Sequence, residues 1–178
     1  MIEHTGAENT ELGLYRNESV QLGIEKDRLD TFISIMRSGG TEISVFEDIQ
    51  PRRWEKVVWN VAWNAITTLT DQDVGAWLSS SDDAVHYTRR LMGEVIAVAG
   101  ACGVYLKEDL ADTLMHRAKG LGPLRTSMQG DREAGRMMEI EVILGVPVKK
   151  GREKGVSTPC LESLYVLLLA INRKIGST

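Results

Sequence analysis

Residues 52–69 read RRWEKVVWNVAWNAITTL. Wound at about 100° per residue from Lys56, the stretch puts Thr67 at ~20°, Asn60 at ~40°, Arg53 at ~60° and Asn64 at ~80°. The rest of the circumference carries Trp54, Val57, Val58, Trp59, Val61, Ala62, Trp63, Ala65, Ile66 and Leu69. A helix that is apolar nearly all round is a buried one, so this spacing predicts a core helix with a single narrow polar stripe. The stripe has two readings. It is the solvated face of the helix, or it serves a ligand or partner. Asparagine is a poor helix former because it competes for backbone hydrogen bonds. Two asparagines one turn apart therefore favour a task for amide donors and acceptors held in fixed positions.

Downstream of this helix the pattern stays helical. Asp71, Asp73 and Gly75 mark a break. Ser79-Ser80-Ser81-Asp82-Asp83 is an N-terminal cap cluster with acidic residues in the first turn, and it opens a helix over 82–101 that Gly103 closes. Further helices are expected over 107–119 and over 127–152, the latter with a kink at Gly130 or Gly135. Thr158-Pro159 starts a last helix that runs to residue 174. Upstream the texture differs. Residues 12–23 look extended, and 26–37 space Leu29, Phe32, Ile33 and Met36 helically. Ser38-Gly39-Gly40 ends that helix, and TEISVFEDI (41–49) alternates as a strand. The expected fold class is mainly α: a strand–helix–strand piece over residues 1–48, then a helical domain over 49–178 with five or six helices.

Composition narrows the function classes. Apolar residues make up 43% and charged residues 26% of the 178 residues, which excludes a disordered chain. The net charge of −4 comes with no basic stripe interleaved with aromatics, so no nucleic-acid partner is expected. Cys102 and Cys160 form no Cys-x-x-Cys motif and point to a reducing, cytoplasmic setting. The opening MIEHTGAENTELG is polar and acidic, unlike a signal peptide. The apolar run from Leu164 to Ile171 is far short of the ~20 residues that span a bilayer, so no membrane partner is expected. His4, His86 and His116 sit on separate segments without ligand spacing, so no metal site is expected.

A second polar feature lies in RMMEIEVILG (136–145). On a helical wheel from Arg136, Glu139 falls at about 300° and Glu141 at about 140°, each between apolar neighbours. A carboxylate there pairs with a cation or takes a raised pKa, and spacing alone leaves both glutamates open.

Taken together, these motifs resemble a known family. Trp54, Lys56, Asn60 and Asn64 resemble the opening helix of the C-terminal domain of ketopantoate reductases. Ser127, Met128, Asp131 and Glu139 resemble that family's second signature. Glu94, Gly100, Gly145, Gly151, Gly155-Val156, Thr158-Pro159 and Tyr165 agree in order and spacing. The resemblance covers about residues 44–170. It implies a helical domain of the 6-phosphogluconate-dehydrogenase-like type, preceded by a strand–helix–strand remnant of a Rossmann domain. It also implies an NADP-dependent oxidoreductase acting on CH–OH, which reduces 2-dehydropantoate to pantoate on the way to pantothenate.

The resemblance assigns roles residue by residue. Lys56 is the general acid and Glu139 binds and orients the substrate hydroxyl. Asn60 and Asn64 hydrogen-bond substrate oxygens, and Ser127 contacts the carboxylate. The family match favours Glu139 over Glu141. Two departures stand out. Leu124 occupies a position where some members carry a substrate-binding Asn. The family's Gly-x-Gly-x-x-Gly turn is absent, so no cofactor-binding residues are expected in this chain, which would hold NADPH weakly or not at all and be inactive alone. A homo-oligomer formed through helices or the open sheet edge is expected. The competing readings are a non-catalytic helical interaction or dimerisation module, and a related reductase for another 2-oxoacid.

Overall fold

The computed structural model describes residues 10–15, 19–120 and 122–176, in two compact units, 1–50 and 51–178. His4 and most of the polar opening segment lie outside the described residues.

In the first unit, β1 (Thr10–Gly13) and β2 (Ile43–Phe46) pair in parallel with Leu12 opposite Val45, and α1 (Leu22–Ser38) connects them. The helix begins earlier than its apolar spacing suggested. Leu22 and Gly23, expected to be extended, form its first turn. Its end follows the glycines, since Gly40 takes φ 83°, a conformation that costs glycine little. The second strand is shorter than the alternating pattern, four residues instead of nine. Gly13 sits so close to Ile49 that a Cβ would come within 2.5 Å of the isoleucine Cβ.

The second unit is helical. Helix α2 (Gln50–Thr70) is followed by α3 (Val74–Ser80), α4 (Asp82–Ala101), α5 (Leu110–Gly120), α6 (Ser127–Glu133), α7 (Val146–Lys154) and α8 (Pro159–Ile175). A π-helical turn over Glu141–Gly145 leads into α7. Two of these findings correct the sequence pattern. What read as a break at 71–75 contains the start of α3, whose N-cap Asp73 accepts from the Ala76 N–H at 2.9 Å. The helix expected over 127–152 is interrupted. Gly135, at φ 65°, turns the chain out of α6, and residues 136–139 are non-helical. Asp131 closes this turn by accepting from the Arg136 guanidinium at 2.6 Å.

Val58, Val61, Trp63, Leu91, Met92, Val95, Leu144, Val148, Leu161 and Leu168 fill a core shared by α2, α4, the π-helical turn, α7 and α8. The helix ends are well provided for. Ser81 caps α4, and Gly155 (φ 69°) closes α7 with the Val156 N–H donating to Gly151 O at 2.8 Å. The start of α8 is capped from another helix: the buried Glu94 carboxylate accepts from the N–H groups of Cys160 and Leu161 at 3.0 and 2.9 Å. Among the described residues, no helix is long and apolar enough to cross a membrane.

Candidate functional site

The polar stripe of α2 is not a uniformly solvated face. It descends. Lys56 is exposed and Asn60 half-buried, while Asn64 keeps 5% of its surface and Thr67 none. From Lys56 to Thr67 the descent covers about 16 Å along the axis, at 1.5 Å per residue. Among the described residues, the side chains of Lys56, Asn60 and Asn64 make no hydrogen bond or ion pair. The aromatic residues beside them pack. Trp63 is fully buried and meets the ring of Trp59 edge-on with centroids 5.8 Å apart, and the Arg117 guanidinium lies 5.2 Å from the Trp59 ring.

The buried end of the stripe is tied to α6. Thr67 Oγ1 lies 2.8 Å from Thr126 Oγ1. Thr126 is the N-cap of α6, and its hydroxyl accepts from the Gln129 N–H. Farther along α6, Arg132 donates to the Thr68 carbonyl. Ser127, the first residue of α6 and exposed, is thereby held one residue beyond the foot of the stripe. Thr126 and Arg132 were missed by the sequence reading. The Thr ahead of Ser127-Met128 carried a usable signal as an N-cap type of residue.

The two glutamates left open by spacing differ in surroundings. Glu141 is engaged: Tyr165 donates its hydroxyl proton to Glu141 Oε1 at 2.7 Å, and Lys149 pairs with Oε2 at 2.7 Å. The hydrogen bonds from Lys149 and then Tyr165 hold the Glu141 carboxyl below its ordinary pKa, and the hydrogen bond to Glu141 raises the Tyr165 phenol. Gly145 is small because this pair crosses it, and a Cβ there would come within 2.7 Å of Glu141 Oε2. Glu139 is exposed, and among the described residues its carboxylate has no such partner. It lies between the buried Met138 and Ile140. Contacts of Thr126 and Arg132 thus join the helix of Ser127 to α2, whereas no such contact joins Glu139 to the stripe among the described residues.

Other titratable groups lie in the packing. Burial pushes the Tyr87 phenol up to about 12, and burial followed by the Glu94 carboxylate raises the Cys160 thiol. A cavity of about 220 Å³ lined by Ile66, Leu69, Thr70, Trp77, Tyr87 and Leu164 opens on a different side of α2 from the stripe. Among the described residues, no three His, Cys, Asp or Glu side chains gather as a metal-holding group.

Residues 48–172 match the family described as ketopantoate reductase PanE/ApbA C terminal. A 2-dehydropantoate 2-reductase of Nostoc sp. is 30% identical over 168 residues, which is 92% of this chain and 51% of that protein. The crystal structure of 2-dehydropantoate 2-reductase from Methylococcus capsulatus superimposes with a TM-score of 0.77 at 35% identity, over 85% of this chain and 52% of that one. A D-mandelate dehydrogenase in ternary complex with NADH and anilino(oxo)acetate shares the fold at 20% identity, with a TM-score of 0.79 over 97% of this chain and 69% of that one. The chain thus spans about half the length of the curated relatives it matches. With its helical unit and two-stranded parallel sheet, and with its signature residues distributed as described, the chain belongs to the ketopantoate reductase PanE/ApbA C-terminal family.

Proposed function

We propose that this chain is the substrate-binding and proton-donating part of an NADPH-dependent 2-dehydropantoate 2-reductase. The observation that carries the reading is the descending stripe on α2. A cation at its mouth and two carboxamides along it have no partners among the described residues, and at its foot Thr67 anchors the helix that begins with Ser127.

On this reading Lys56 Nζ holds the proton that the C2 oxygen takes as the carbonyl is reduced, and its charge stabilises the oxyanion before transfer. Asn60 and Asn64 hydrogen-bond substrate oxygens, Ser127 meets the carboxylate, and Glu139 accepts from the substrate hydroxyl and orients it. The nicotinamide supplies hydride when bound. The residues of this chain do not fit that cofactor: no Gly-x-Gly-x-x-Gly turn occurs in the sequence, and the start of α1 has no side-chain cap and no glycine-rich loop before it. Residues 1–48 are read as the closing part of a dinucleotide-binding domain and 49–178 as the substrate and dimerisation domain. The protein would act in the cytoplasm as a homo-oligomer, and the chain alone would be inactive.

A second reading keeps the chemistry and changes the acid. Leu124 packs against the core and offers only its backbone carbonyl, to the Val74 N–H at 3.3 Å. That favours a 2-oxoacid needing no side-chain hydrogen bond at this point.

Titration of the chain, followed by NMR, tests the proposal. 2-Dehydropantoate is expected to shift the side-chain amide signals of Asn60 and Asn64 in a saturable way, while NADPH gives no saturable binding. Amide signals that stay fixed at saturating acid, or tight NADPH binding, contradict it.

A further inference from the structure

Glu139 closes a four-residue non-helical stretch, its carbonyl accepting from the Ile143 N–H at 3.1 Å to begin the next helix, and the residues on either side of it are held by α8. Asn172, near the end of α8, makes two hydrogen bonds to Met138. Its Oδ1 accepts from the Met138 N–H at 2.9 Å, and its Nδ2 donates to the Met138 carbonyl at 3.3 Å. On the other side, Tyr165 holds the Glu141 carboxylate. Tyr165 and Asn172 are seven residues apart, so they share one face of α8 about two turns from each other. Between them, Leu168 is fully buried in the core. At the end of α8, Gly176 lies so close to Met137 that a Cβ would sit 3.2 Å from the sulfur. One face of α8 thus clasps residues 137, 138 and 141 and leaves Glu139 projecting between them.

A single asparagine that bonds both the N–H and the C=O of one residue orients the two peptide planes that flank it, as a strand partner would; the Met138 carbonyl also accepts from the Ile140 N–H at 2.9 Å. A carboxylate that binds substrate must be held within about half an ångström of its productive position by groups behind it. We infer that Asn172 is the positioning residue for Glu139, aligning the carboxylate through the Met138 backbone toward the substrate hydroxyl. This rests on the proposed role of Glu139 in binding the substrate hydroxyl. Tyr165 is the second arm of the same device, with Glu141 as its handle.

The test uses the chain as wild type, N172A, E139Q and the double variant. Amide hydrogen exchange reads the hold directly. N172A is expected to speed exchange at Met138 roughly tenfold or more, with α2 and α4 amides unchanged. Titration with 2-dehydropantoate reads the consequence. N172A and E139Q should each weaken binding, and the double variant should bind no more weakly than E139Q, because Asn172 acts through Glu139. N172D, which keeps an oxygen facing the Met138 N–H, should recover part of the loss, and it serves as the test variant if N172A does not fold. Wild-type affinity in N172A overturns the inference, as does a double variant whose losses add. E139Q binding like wild type sinks the substrate reading instead. Exchange at Met138 tells the two failures apart, since unchanged protection in N172A removes the clasp itself.

Discussion

The hydroxyls of Thr67 and Thr126 lie 2.8 Å apart with neither residue exposed beyond 9%. The pair joins the foot of the α2 stripe to the cap of α6, and so ties the position of Ser127 to that of Asn60 and Asn64. Replacing Thr67 by Val removes one hydroxyl of a buried pair and should cost about 1–2 kcal/mol in urea unfolding. Thr126→Val also removes the α6 cap and should cost more. The double variant should fall short of the sum, because both changes break the same bond. Full additivity would mean the two hydroxyls do not act as a pair.

Glu94 offers a separate check on the packing. Its carboxylate is the cap of α8, supplied from α4. Glu94→Ala leaves two buried N–H groups unsatisfied and should destabilise the chain by about 2–4 kcal/mol. Glu94→Gln retains one acceptor oxygen but turns an NH2 toward the other N–H, so its loss should be intermediate. A Gln variant as stable as wild type would show that the cap does not need both oxygens.

The Glu141 cluster makes a pH-dependent contribution. Lys149 and Tyr165 lower the pKa of Glu141 below the ordinary 4.5 in the folded chain. Its stabilisation is therefore complete above that ordinary value, and it is lost as pH falls through the depressed folded value. Acid unfolding of Glu141→Gln should show a shallower fall in stability below about pH 5 than wild type. Identical acid limbs would remove Glu141 from the linkage.

The helices were legible wherever periodicity and caps agreed. The stretch 52–69 announced its own burial, and Ser81 with Asp82 and Asp83 fixed the start of α4. The misses have physical causes. Helix α3 is short, and its cap residue Asp73 sits among residues that also signal a break. Gly135 could kink or end a helix, and only its positive φ and the Asp131–Arg136 closure decide for an end. Glu139 and Glu141 looked equivalent on a wheel because residues 136–139 are not helical at all. What sets Glu141 apart includes Tyr165 of α8, about two dozen residues downstream, which no local spacing encodes. The burial gradient along the stripe was also hidden, since one helix cannot report how deeply its neighbours cover it.

The most direct test of the account is turnover by Lys56→Ala with this chain joined to a dinucleotide-binding domain taken from a 2-dehydropantoate 2-reductase. Loss of the proton donor should lower kcat by about 10²–10⁴-fold while KM for 2-dehydropantoate changes far less. Unchanged turnover would contradict the assignment of Lys56 and, with it, the reading of the α2 stripe as a catalytic wall.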